Sequence, residues 1–225
     1  ISLISAAIQY SLTFTGLRGL DASVTALVVQ LEVPFLVIIG AVALKERPGP
    51  RKWLGILIAF VGVSLIAGQP KLASSWGSIL LVIGGGMTWA IGQAMVRQLK
   101  DIDGLTTTAW VAVFAAPQLL VMSLIFETDH IRAITEANYI VWMAVIYLGL
   151  IMTAFGYGMW YSLIRRNPVS SVAPFLLLLP VFSILGGAVF LNEVLTRQTA
   201  IGGAIIIAGV AFILIERRPR PAVIS

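Results

Sequence analysis

Residues 40–46, GAVALKE, recur almost unchanged at residues 187–193, GAVFLNE. The register holds beyond this match at two pairs of glycines with the same offset: Gly55 over Gly202, and Gly62 over Gly209. Self-similarity at a fixed offset is the sequence signature of an internal duplication. The chain is therefore predicted to contain two related copies of one helical segment.

The composition places the chain in a lipid bilayer. Of its 225 residues, 59% are hydrophobic and only 11% are charged, which leaves too few polar groups to cover a water-soluble globule. The net charge of +5 comes from basic residues in short gaps between apolar runs, which indicates membrane orientation and not nucleic-acid binding. With no cysteine and a single histidine, His130, in a polar connector, neither a metal site nor a cofactor is predicted.

Eight apolar stretches have about the length of a membrane-spanning helix, which is roughly 20 residues. They are residues 1–17, 22–44, 53–67, 75–96, 106–126, 139–164, 169–190 and 199–215. The connectors are short and hold the glycines and prolines expected in turns. The predicted fold class is therefore all-α, a polytopic membrane helix bundle without an extramembrane domain.

The basic residues are distributed unequally between alternate connectors. One set of connectors, together with the C-terminal tail at residues 216–225, holds eleven Lys and Arg residues, and the other set holds four. Lys and Arg are enriched in the cytoplasmic connectors of membrane proteins. We therefore expect a multi-pass protein of the cytoplasmic membrane whose C-terminus and basic tail face the cytoplasm.

The two copies are predicted to cross the membrane in opposite directions. The second copy lies five spans after the first, and an odd number of crossings reverses the direction of the chain. Inverted repeats of this kind are typical of secondary transporters. The offset also places the counterpart of the span at residues 75–96 before the first residue, so we expect an N-terminally truncated form of a ten-helix, five-plus-five repeat.

The motif Gly-Ala-Val-x-Leu-x-Glu at the end of a proline-containing helix, followed by Gly-x6-Gly in the next helix, resembles the EamA family of the drug/metabolite transporter superfamily. On this resemblance, residues 1–68 are the last three helices of a first EamA unit and residues 74–215 are a complete second unit. The resemblance implies a central cavity and the translocation of amino acids, related metabolites or drugs, often outward.

Glu32 is the candidate for substrate binding or proton coupling. It lies at least ten residues from either end of the span at residues 22–44, or about 15 Å at the rise of an α-helix, which is mid-bilayer. An acid there costs about 2.5 to 3.5 kcal/mol on insertion scales, so it is expected to have a function. Its carboxylate can carry a proton or pair with a substrate ammonium group. A structural hydrogen bond to a neighbouring helix is the alternative.

The first span carries polar residues at three- and four-residue steps: Ser2, Ser5, Gln9, Thr13 and Gly16. These residues share one helical face, which must meet protein or water inside a bilayer. Gln9 and Thr13 are therefore candidates for substrate binding. Close helix packing is the alternative, since Ser, Thr and Gly are enriched at packed membrane interfaces.

Two further spans supply binding candidates. Trp89 and Gln93 lie one turn apart after three consecutive glycines at residues 84–86, and together offer an apolar wall with a polar group, as ligand pockets do. Tyr157 belongs to a stripe at four-residue spacing in the sixth span. Helix packing is the alternative for these residues.

The residues that accompany the duplicated motif are interpreted as hinges or as structural elements. They are Pro34, Pro180, Gly40, Gly187, Glu46 and Glu193. A proline within a span removes a backbone hydrogen bond, and a kink of this kind is a plausible hinge for alternating access.

The predicted function is secondary transport of small metabolites, with export as the expected direction, alternating access as the mechanism and a coupled proton as a further partner. A membrane-embedded lipid-modifying enzyme would need paired acids, a histidine cluster or a nucleophile with its base, and none is present. A passive channel is the other alternative, although rings of like charge are missing. The membrane lipid and a small-molecule substrate are the predicted partners, and the oligomeric state is left open.

Overall fold

A computed structural model describes residues 1–43, 45–69, 72, 74–96, 102, 104–128, 130–156, 159 and 178–214. Within these ranges every regular element is helical, as predicted. The helices are α1 Leu3–Leu17, α2 Ala22–Val29, α3 Glu32–Ala43, α4 Pro50–Ala67, α5 Trp76–Val96, α6 Gly104–Phe126, α7 His130–Thr135, α8 Tyr139–Gly156, α9 Leu178–Phe190 and α10 Arg197–Leu214. Tyr157 and the tail at residues 216–225 lie outside the described residues.

Six segments of the described chain are long and apolar enough to cross a membrane. One of them is the segment Ala22–Ala43, which contains both α2 and α3, and the others are α4, α5, α6, α8 and α10. Helices α1 and α9 are apolar but shorter in the ranges that the structure covers. The chain is thus a multi-pass membrane protein, and the count of eight spans stays a prediction.

Helices α4 and α10 pack closely because glycines face each other at two points. A Cβ atom on Gly55 would lie 2.7 Å from the carbonyl oxygen of Gly209, and one on Gly62 would lie 2.7 Å from that of Gly202. Only a residue without a side chain permits backbones to approach this closely. The start of α4 meets the end of α10, so the two helices are antiparallel.

The glycine contacts between α4 and α10 are reciprocal with respect to the duplication. Gly55 and Gly202 are equivalent in the two copies, and so are Gly62 and Gly209. In space, however, the first glycine of each copy meets the second glycine of the other. This exchange of partners is the form of contact made by two elements related by a two-fold axis. The last helices of the two copies therefore run in opposite directions.

Four connectors that the charge pattern assigned to one face do lie together at one end of the bundle. Arg18 after α1 pairs with Glu127 after α6 at 2.6 Å, and the Thr196 hydroxyl before α10 donates to Gln69 after α4 at 2.6 Å. We call this the outer end, because the basic residues predict that it faces away from the cytoplasm. The side of the membrane that it faces stays a prediction.

The outer end also contains the only histidine. His130 is half-buried, and its Nε2 lies 3.1 Å from the carbonyl oxygen of Ser123. The Ser123 hydroxyl in turn donates to Glu127, and this hydrogen bond, together with Arg18, lowers the pKa of the Glu127 carboxyl. The start of α7 is thereby held against the end of α6.

Replacing Gly209 by alanine tests the contact between α4 and α10. The new Cβ would lie 2.6 Å from the Ala59 nitrogen and 2.7 Å from the Gly55 oxygen, so the backbones must separate, at a cost of about 1 to 3 kcal/mol. We expect Gly209→Ala to lower the apparent melting temperature in detergent. Gly77→Ala is the control, because a Cβ there meets nothing within 4 Å. Equal melting of both variants and the parent would contradict this packing.

Candidate functional site

The segment Ala22–Ala43 is interrupted at its centre. Pro34 has no N–H, and the residues before it form tighter hydrogen bonds that reach back three residues instead of four. The Leu31 N–H donates to Val28 at 3.1 Å, and the Val33 N–H donates to Gln30 at 3.3 Å. The helix therefore ends at Val29 and begins again at Glu32. Interrupted helices at mid-membrane are where many transporters bind substrate.

Glu32 is the first residue of α3, directly after this interruption. Its side chain is half-buried and packs on Gly86 of α5, where a Cβ would lie 3.3 Å from Glu32 Cγ. Among the residues that the structure describes, none donates a hydrogen bond to its carboxylate or pairs with it. The same part of the chain contains no group of three His, Asp or Glu that could hold a metal ion. Within the described part of the chain, the site thus presents one carboxylate without a hydrogen-bond or ion-pair partner.

Trp89 and Gln93 continue the face of α5 on which Glu32 packs. They follow Gly86 by three and seven residues, a spacing that places all three on one side of a helix. Both side chains are half-buried, and neither makes a hydrogen bond to another described residue. From Glu32 this face leads away from the outer end, since α5 begins there at Trp76.

Gln9 and Thr13 lie between α1 and α5. The Thr13 hydroxyl is in contact with Gly85, and it accepts a hydrogen bond from Gln9 Nε2 at 3.3 Å. Gln9 is only 7% exposed. Ser5, on the same face of α1, is in contact with Gly92. The polar face of α1 is thus packed against glycines of α5.

Three consecutive glycines in α5 join these contacts. Gly84 faces Leu12, Gly85 faces Thr13 and Gly86 faces Glu32. Helices α1 and α3 therefore reach α5 at the same level, and the missing side chains leave the room that both require. A Gly-Gly-Gly run is destabilising for a helix, so these glycines are explained by what packs on them.

The sequence did not single out Gln30, which lies in the interruption itself. Its side chain is half-buried, two residues before Glu32. The sequence did indicate it, because in a continuous α-helix the carbonyl of residue 30 would accept a hydrogen bond from the N–H of residue 34, and Pro34 has no N–H. Pro180 lies in α9, as Pro34 lies in α3.

The duplicated motif forms the same turn at the ends of α3 and α9. The residue before each glutamate has a left-handed backbone, with φ of 56° at Lys45 and 54° at Asn192. The glutamate N–H then reaches the carbonyl of the glycine that begins the motif, at 3.0 Å in the first copy and 3.1 Å in the second. A Cβ on Gly40 or Gly187 would lie against the glutamate carboxylate, so glycine at these positions leaves room for that carboxylate.

The comparisons with known proteins agree with this architecture. A family model described as the EamA-like transporter family matches residues 1–68 and 76–215. The chain belongs to this family. A probable amino-acid metabolite efflux pump of Salmonella typhimurium is 28% identical over 213 residues, which are 89% of this chain and 70% of the relative. An uncharacterized transporter of Archaeoglobus fulgidus is 30% identical, with 88% and 70% covered.

A solved crystal structure shares the fold of this EamA-like chain. The two superpose with a TM-score of 0.62 at 20% sequence identity, over 94% of this chain and 73% of the other. At this identity the likeness concerns the fold alone.

Adding a methyl group at Gly86 tests whether the space beside Glu32 matters for transport. The Cβ would lie 3.3 Å from Glu32 Cγ, so the glutamate side chain must move by a few tenths of an ångström. We expect Gly86→Ala to raise the KM for the transported small molecule several-fold in proteoliposomes. Gly84→Ala is the matched control, since its Cβ makes an ordinary 3.5 Å contact with Leu12. An unchanged KM in Gly86→Ala would show that the space beside Glu32 does not contribute to substrate binding.

Proposed function

We propose that this protein is a secondary carrier that exports small amino-acid-like metabolites across the cytoplasmic membrane by alternating access. Glu32 pairs with the ammonium group of the substrate, and a proton takes its place when substrate is absent. Pro34 and Pro180 act as hinges. The C-terminus lies in the cytoplasm, which places the outer end of the bundle on the opposite side.

The observation that carries this proposal is the unpaired carboxylate of Glu32 at the helix interruption. An acid at mid-membrane costs about 2.5 to 3.5 kcal/mol on insertion scales, and no described side chain offsets that cost. A ligand cation or a proton would offset it. A residue kept only for packing would gain more from an apolar side chain of similar size.

The neighbouring face of α5 suits the remainder of such a substrate. Trp89 supplies an apolar ring that also attracts a cation, and Gln93 supplies an amide that can both donate and accept hydrogen bonds. Neither group is engaged by another described residue. An amino acid with an apolar side chain matches this set of charge, ring and amide.

Alternating access is supported by the antiparallel arrangement of α4 and α10 and by the interrupted segment around Pro34. Carriers built from inverted repeats expose one central site to either side by moving one repeat against the other. Export is supported by the efflux function in the name of the Salmonella relative.

Counterflow of radiolabelled leucine into proteoliposomes of the full-length protein tests the function. A carrier preloaded with unlabelled leucine accelerates uptake of label, whereas a channel does not. We expect Glu32→Gln to lower the counterflow rate about tenfold or more, equivalent to about 1.4 kcal/mol or more of lost interaction. Its remaining rate is expected to be independent of pH.

Glu136→Gln is the matched control for this substitution. Glu136 is an exposed residue of the outer end and pairs with Arg132 one turn earlier, so the same chemical change there should leave counterflow unchanged. Transport by Glu32→Gln at the parental rate and with the parental pH dependence would overturn the role of Glu32. Uptake without any stimulation by internal leucine would favour a channel.

A further inference from the structure

The Glu193 carboxylate is bound by the first residues of a helix from the other copy of the duplication. It accepts hydrogen bonds from the N–H of Ala22 at 2.6 Å, the N–H of Ser23 at 3.0 Å and the hydroxyl of Ser23 at 2.5 Å. Asp21 stands at the N-cap position of α2 but makes no side-chain cap. The free N–H groups at the start of α2 therefore obtain their acceptor from Glu193.

This contact joins parts of the chain that are far apart in sequence. Ala22 and Glu193 are separated by 171 positions, with α2 in the first copy and the turn after α9 in the second. Ser23 is only 2% exposed, and it lines a narrow cleft of the outer end together with Gln69, Glu193 and Thr196. The two copies thus meet here, at the outer end.

The chemistry of this contact differs from that of the α4–α10 contact. The α4–α10 pair is held by interlocked backbones, which cannot part without leaving apolar surface and backbone groups uncovered. The contact of Glu193 with α2 consists of hydrogen bonds to a carboxylate at a helix N-terminus, and water can replace each of them. Motion that opens the outer end is therefore easier at Glu193 than between α4 and α10.

We propose that Glu193 and the N-terminus of α2 form a latch that closes the outer end and parts each time this end opens. The inference rests on the carrier function proposed above. It assigns the glutamate of the second motif a part in the transport cycle in addition to its place in the turn after α9. Opening exchanges the three hydrogen bonds for hydration of the carboxylate and of the N–H groups of α2.

A reversible cross-link across the latch is the direct test. A Cβ on Gly187 would lie 2.6 Å from the Ser23 hydroxyl, which places cysteines at these positions within disulfide reach, and the chain has no cysteine of its own. In the full-length variant with Ser23→Cys and Gly187→Cys, we expect an oxidant to form the cross-link and to stop leucine counterflow. Reduction of the disulfide should restore counterflow, and the oxidant should not change counterflow by either single-cysteine variant.

Two results of the cross-linking would overturn the proposal. If the fully cross-linked protein transports as fast as the same protein after reduction of the disulfide, the contact does not part during transport. A pair that does not cross-link under any condition would show that the two copies do not meet here.

A second measurement does not require transport. Val24 lines the same cleft and is 4% exposed, so Val24→Cys should react slowly with a membrane-impermeant maleimide added at the outer side. Adding Glu193→Gln should accelerate labelling by about two- to thirty-fold, the range that corresponds to the loss of a helix cap. Glu136→Gln should leave the labelling rate unchanged.

The labelling also separates this inference from the proposed function. If labelling is accelerated in protein that shows no leucine counterflow, the proposed substrate is wrong but the latch is supported. Equal labelling rates with Glu193 and with Glu193→Gln would refute the latch, whatever is transported.

Discussion

A lipid interior has no water to hydrogen-bond a backbone N–H or carbonyl, so these groups must find partners within the protein. Most features of this chain follow from that constraint. In a continuous helix the backbone N–H and carbonyl groups bond to each other. The interruption before Pro34 leaves backbone groups that can be hydrogen-bonded only by tighter turns or by close neighbours. The Leu31 and Val33 N–H groups reach back three residues, and Gly86 lets α5 approach the chain where α3 begins. The site around Glu32 therefore depends on glycines of α5 as much as on its own polar residues.

The same constraint distinguishes two kinds of contact in the bundle. Where α4 and α10 meet, four glycines bring the backbones together and leave no space for solvent. At the outer end the partners are polar: Glu193 with the start of α2, and Gln69 with Thr196. Polar contacts at a membrane surface can exchange their partners for water, so a carrier that opens there keeps its glycine-packed helices together.

Much of the helical fold could be predicted because apolar spans, the repeated motif and the glycine spacing are all visible in the sequence itself. Glu32 could be proposed as a site residue in the same way, because a single acid at the centre of an apolar span is visible in the sequence. The contact of Glu193 with Ala22 could not, since its partners are 171 positions apart and capping depends on where another helix begins. Thr13 was ambiguous for a similar reason, because a polar face in lipid suits a cavity and a glycine-lined helix equally well.

In the proposed function, Glu32 binds the ammonium group of the substrate. The most direct measurement is competition for radiolabelled leucine bound to the full-length protein, with leucine amide and N-acetylleucine as competitors. Leucine amide keeps the ammonium group of leucine, whereas N-acetylleucine has lost it. We predict that leucine amide displaces the label and that N-acetylleucine does not. Displacement by N-acetylleucine at the same concentration as leucine amide would contradict it.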